Sequence, residues 1–178
     1  SAELPAILWP GGSEFTLAGP GAGAVYPSVA EYADGLFGTD GVFAILEGRI
    51  NYSIVEAAAD LTTISPVWSG DGLTVSATGV PHADVPTLGY RVDYGDHSIA
   101  FTSDQNGSSD EFIDFIRGVH HLVIHMAAGE DAEGLIAELH ATPSVWGQMA
   151  ARAGVGHVVV SHISTSDADQ LAENLSIL

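Results

Sequence analysis

The chain has 178 residues, 46% of them hydrophobic and 21 of them glycine, which fits a single packed domain spanning 1–178 and excludes a disordered chain. It carries 23 acidic residues against four arginines and no lysine, a net charge of −19 that repels phosphate backbones and makes nucleic acid a disfavoured partner, although salt adaptation or simple solubility is the plainer explanation of such acidity. With no cysteine, disulfides and thiolate metal sites are excluded, so any metal has to be held by His, Asp or Glu.

In chain order, Glu3 to Trp9 is a short apolar segment closed by Pro10-Gly11-Gly12. Phe15 to Ala18 reads as a strand, with Gly19-Pro20-Gly21 as a turn after it, and no GKS or GKT follows to make these glycines a phosphate loop. Between Pro27 and Phe37 the apolar residues Val29, Ala30, Ala33, Leu36 and Phe37 recur at helical spacing. Asp40 to Ile50 gives no clear pattern; Ser53–Ala59 and Leu61–Val67 read as strands. After the turn Gly70-Asp71-Gly72, Leu73 to Thr78 alternates as a half-buried strand and leads into Val80-Pro81-His82. Leu88–Asp93 and Ser98–Thr102 form a hairpin across the turn Tyr94–His97.

The second hairpin strand runs out into Ser103-Asp104-Gln105. A short helix over Phe112–Arg117 precedes Leu122-Val123-Ile124, an apolar strand ending on His125. A helix is expected over Asp131–Leu139. Thr142 and Pro143 then fit the N-cap and first position of a helix that runs to Gly154, suited to the left-handed position past its end. The β-branched run after His157 ends at Ser161-His162, and a last helix over Asp167–Leu175 takes Ser166 as its N-cap. No stretch approaches a membrane span, and the first residues lack the pattern of a signal peptide.

Several strands thus end on a metal ligand or general acid: His82, Asp104, His125 and His162, with His140 just ahead of a helix. In open α/β layers the carboxyl ends of strands are where ligands gather. A single histidine is more often a hydrogen-bonded scaffold residue, and on that ground His97, in a turn, and His157, opening a strand, are read as surface residues. His120 and His121 are adjacent, so in an extended chain they face opposite sides and cannot both line one site.

At these residues the chain resembles the metallo-β-lactamase superfamily, in the branch near the tRNA 3′-processing endonucleases and related exported hydrolases. The resemblance lies in the ordered set Val80-Pro81-His82 with Leu88–Val92; Ser98–Asp104; Leu122–His125; His140–Pro143; and Val158–Ser164. It implies an α/β fold, the αββα sandwich of two facing mixed sheets with helices outside. It also implies that His82 is a ligand of one zinc, that Asp104 bridges two metals, and that His162 is the last ligand of the second. By the same likeness His140 protonates the leaving group and His125 stands beside the site. Zinc is the implied cofactor, two ions in the complete protein, with manganese or iron as alternatives.

The chain departs from the pattern in three places. Gln105 follows the aspartate where the family has Thr, Met126 follows His125 where it has Glu, and the signature HxHxDH is missing. Because Ser1–Leu8 resembles the helix that follows that signature, the chain is expected to be a piece of a longer protein, incomplete at the N-terminus of the fold; a natural half-site without catalysis is the competing explanation. The expected function is a metal-dependent hydrolase acting on a small ester, lactone or phosphodiester. The alternative is a non-catalytic binding or scaffold domain with an incomplete metal site. A homodimer is compatible with the sequence, and the compartment is left open with a lean to export.

Overall fold

The fold is described from a computed structural model that covers residues 14–178, so the apolar segment Glu3–Trp9 lies outside the described residues. Strand β1 (Glu14–Pro20) pairs in parallel with β2 (Asn51–Ala57), from Glu14 opposite Asn51 to Pro20 opposite Ala57. The expected turn at Gly19-Pro20 is therefore the end of a strand: proline lacks an N–H but is tolerated at a strand terminus. Between the two strands, helix α1 (Val29–Phe37) starts on a reciprocal cap. Ser28 Oγ accepts from the Glu31 N–H at 3.2 Å, and Glu31 Oε2 accepts from the Ser28 N–H at 2.8 Å. The unassigned stretch after Asp40 holds a short 3₁₀ turn, Ala44–Leu46.

The second sheet has six strands in sequence order: β3 (Ile64–Gly70), β4 (Leu73–Val80), β5 (Thr87–Tyr94), β6 (His97–Phe101), β7 (His121–His125) and β8 (His157–Ser161). β3 to β6 pair antiparallel, whereas β6, β7 and β8 are mutually parallel. His97 opens β6 rather than closing the hairpin turn. Helices α2 (Asp110–Phe115) and α4 (Pro143–Ala153) provide the crossovers that parallel pairing requires. A five-residue helix, α3 (Leu135–Leu139), precedes α4, and α5 (Ala168–Ile177) follows β8.

Side-chain alternation along the strands sends apolar residues to both faces of this sheet. On one face Ala77 and Leu88 meet Ala57 of β2, and the Tyr90 hydroxyl donates to the Ala18 carbonyl of β1 at 3.3 Å. On the other, Val80, Leu122 and Ile124 pack with Phe112, Ile116, Trp146 and Met149 of the helical layer. Phe112, Ile116, Trp146, Leu122 and Ile124 are fully buried, and each such side chain contributes roughly 1.5–3 kcal/mol. Gly89 faces the Phe112 ring so closely that a Cβ there would strike it. The layers run α1, the β1–β2 pair, the six-stranded sheet, then α2, α4 and α5: helix, sheet, sheet, helix.

The helices differ in detail from expectation, and α2 spans Asp110–Phe115 with Ser109 as its N-cap in place of the expected Phe112–Arg117. α3 is shorter than Asp131–Leu139 because Gly134, at φ +58, starts it in a non-helical conformation. α5 is capped by Asp167, not Ser166: the Asp167 carboxylate accepts from the N–H groups of Asp169 and Gln170 at 2.9 and 3.2 Å. Thr142 does occupy the N-cap of α4, but its side chain makes no capping bond. Glu130 does this instead, its carboxylate accepting from the Ser144 N–H at 2.9 Å and the Ser144 Oγ at 2.5 Å.

Candidate metal centre

The sheet topology decides which side chains can meet. β6, β7 and β8 run parallel, and β4 runs the same way because two antiparallel pairings separate it from β6. Their carboxyl ends therefore lie along one edge, and just at or beyond those ends stand His82, Asp104, His125 and His162.

Asp104 is the hub. Its Oδ1 lies 2.7 Å from Nδ1 of His125 and 3.0 Å from Nδ1 of His162, and these two nitrogens are 3.4 Å apart. The three residues form a cluster whose ligand atoms all lie within 4.8 Å of one another. His140 Nδ1 stands 3.9 Å from the same carboxylate oxygen, too far for a hydrogen bond. That nitrogen is buried and has no hydrogen-bond partner among the described residues.

His82 stands one step out. Its Nδ1 bonds to the Leu139 carbonyl at 2.9 Å, and its ring faces that of His140 at 5.3 Å between centroids. With the proton on Nδ1 donated to that carbonyl, the Nε2 lone pair is the free one, an arrangement that ligand histidines commonly adopt. Of the expected ligands His82, Asp104 and His162, the structure brings Asp104 and His162 together with His125, while His82 stands beside His140. The signal for His125 was its position at the end of a strand parallel to β8.

The backbone takes up a left-handed conformation at or next to His82, Asp104 and His162. Among the described residues only Asp71, Ala83, Ser103 and His162 combine a side chain with positive φ. Asp71 lies in a tight hairpin turn, but Ala83 follows His82, Ser103 precedes Asp104, and His162 is itself in the cluster. Such conformations cost about 1–3 kcal/mol each and persist where the surroundings enforce them. The supports are visible. Ser103 Oγ donates to the Leu88 carbonyl at 2.7 Å, and the buried Gln105 amide donates to the Thr102 carbonyl at 2.9 Å. Trp146 Nε1 donates to the His125 carbonyl at 2.9 Å.

Electrostatics match this geometry. Partial burial pushes the Asp104 carboxyl up, but the hydrogen bond from His125 and the charges of His162, His125 and His140 outweigh it and hold the group below its ordinary range. Burial lowers the His140 imidazole, against the attraction of Asp104 and with the repulsion of His82, His162 and His125. The donor set, an ionised carboxylate among imidazoles with no thiolate, fits a divalent ion of zinc type, and the orphaned His140 nitrogen lies 3.9 Å from the same carboxylate oxygen.

Comparison with known proteins agrees with the fold. A ribonuclease Z of Mycobacterium avium (strain 104) is 33% identical over 107 residues, which is 56% of this chain and 38% of that protein. The chain thus spans about two fifths of the length of the ribonuclease Z relatives it matches. The metallo-β-lactamase fold protein YhfI from Bacillus subtilis superposes with a TM-score of 0.66 at 17% identity, covering 93% of this chain and 59% of the other. Zn(2+)-bound PqqB from Methylobacterium extorquens gives 0.61 at 15% identity, over 93% and 62%. The ribonuclease relatives run against the expectation, drawn from net charge, that nucleic acid is a disfavoured partner: net charge acts over the whole surface, whereas a metal sets the local field of a site. Residues 26–163 match the profile described as the Beta-lactamase superfamily domain, and with the layered fold and the histidine–aspartate edge already in place, the chain belongs to that superfamily.

Proposed function

We propose that this protein is a metal-dependent hydrolase of phosphodiesters or related esters, with Asp104, His125 and His162 at its metal centre and His82 contributing through Nε2. Zinc is the expected ion, two per complete protein, and Asp104 would be among the residues that hold it. The observation that carries the reading is the convergence of His125 and His162 Nδ1 on one Asp104 oxygen. The ribonuclease Z relatives favour a phosphodiester over a lactone.

A divalent cation supplies Lewis acidity and lowers the pKa of water toward neutrality. The chain's own groups do the rest. Asp104 stays ionised because the surrounding histidines hold its carboxyl down. The Leu139 carbonyl fixes the His82 ring, and Trp146 fixes the backbone at His125. His140, close to Asp104 and without a hydrogen-bond partner for Nδ1 among the described residues, is the group that would give a proton to the leaving group.

The test is hydrolysis of bis(p-nitrophenyl) phosphate and of a precursor tRNA by the full-length protein, before and after chelation and zinc return. The reading predicts chelator-sensitive turnover that zinc restores and Asp104→Ala abolishes. Bound metal without turnover of any ester, or turnover that Asp104→Ala leaves intact, would contradict it. No metal and no turnover would point to the scaffold domain instead.

A further inference from the structure

The loop that carries His82 also forms a wall of a cleft. Pro81, just before that histidine, lines a cavity of about 360 Å³ together with Asp84, Val85 and Pro86, and Leu61 and Val80 contribute to the same lining. Among the described residues the lining is otherwise apolar or glycine, so Asp84 is the one charged residue they contribute. Leu61 is 37% exposed, an apolar side chain left open to solvent where the cleft begins. No arginine reaches it: Arg91, Arg117 and Arg152 are ion-paired with Asp93, Asp114 and Asp110, and Arg49 is absent from the lining.

A pocket with apolar walls and one carboxylate repels a second anionic group and gains from burying hydrocarbon. Pro81 and Ala83, which flank His82, put one end of the cleft next to that histidine, while Asp104, His125 and His162 are not part of its lining. We infer that this cleft binds an uncharged apolar substituent on the substrate, so that the preferred substrates are phosphodiesters with an alkyl or aryl ester group of several carbons. This inference rests on the hydrolase reading above for the position of the scissile group, and it adds what sits next to that group.

The test measures binding, so it does not depend on turnover. Dibutyl phosphate and dimethyl phosphate are titrated into the zinc-loaded full-length protein by calorimetry. One fully buried methylene is worth about 4-fold in affinity, and partial burial of one butyl chain predicts about 10-fold tighter binding of the dibutyl compound. Leu61→Asp and Val85→Asp, from two separate segments of the lining, should each bring the butyl-to-methyl ratio toward one while circular dichroism stays native. Equal affinities in the wild type, a ratio unchanged in both folded variants, or no binding of either phosphate would overturn the proposal. Turnover of bis(p-nitrophenyl) phosphate without a butyl preference removes the cleft alone. A butyl preference that both variants abolish, with no turnover, removes the hydrolase reading alone.

Discussion

His125 Nδ1 lies 2.7 Å from Asp104 Oδ1, the shorter of the two contacts that tie a histidine to this carboxylate. The residues are 21 apart in sequence and meet because β6 and β7 are parallel neighbours whose carboxyl ends share an edge. Whether His125 binds the ion or orients Asp104, its loss loosens the same centre. His125→Ala is expected to lower zinc affinity by about 10–100-fold, the range found when groups that orient ligands are removed, and more if it is itself a ligand. Competition titration against a chromogenic chelator measures this, and an unchanged affinity would return His125 to a scaffold role.

Trp146 connects the core to the centre. It is fully buried, and its indole N–H reaches the His125 carbonyl at 2.9 Å. Trp146→Phe keeps an aromatic ring but removes the donor, and a polar group left without its partner costs about 1–3 kcal/mol. Urea unfolding should show a loss of that order.

Much of the framework could be read from local chemistry. α4 announces itself through Thr142-Pro143 and through Gly154, which indeed adopts a left-handed conformation at φ +67. The ligand-type residues at strand ends were visible because each follows a β-branched or apolar run. What local pattern could not reveal was convergence. The grouping of His125 with Asp104 and His162 depends on the parallel order β6-β7-β8, and the displacement of His82 depends on a bond to Leu139, 57 residues away. The Glu130 cap on Ser144 is likewise a tertiary contact across a loop, which is why Thr142 seemed sufficient by itself. Gly19-Pro20 read as a turn since its composition says so; pairing with β2 overrides composition there.

Asp60 provides a pH-dependent contribution away from the centre. Hydrogen bonds from Thr63 and then Thr62 hold its carboxyl down at about 2. A depressed carboxyl stabilises the fold above its unfolded pKa of about 3.9 and loses that contribution as pH falls through the folded value. The stability difference between wild type and Asp60→Asn should therefore be flat above roughly pH 5 and shrink between about pH 4 and 2. Chemical denaturation at a series of pH values checks this; a difference that grows in acid would contradict it.

The central claim is that Asp104 holds the metal centre together. The direct measurement is metal per chain, by inductively coupled plasma mass spectrometry, on full-length wild type and Asp104→Ala purified side by side. With both proteins folded, close to two zinc ions per wild-type chain and at most a small residue in Asp104→Ala are expected. Equal metal content in the two proteins, or none in either after zinc is supplied, would show that the cluster of Asp104, His125 and His162 is not a metal centre.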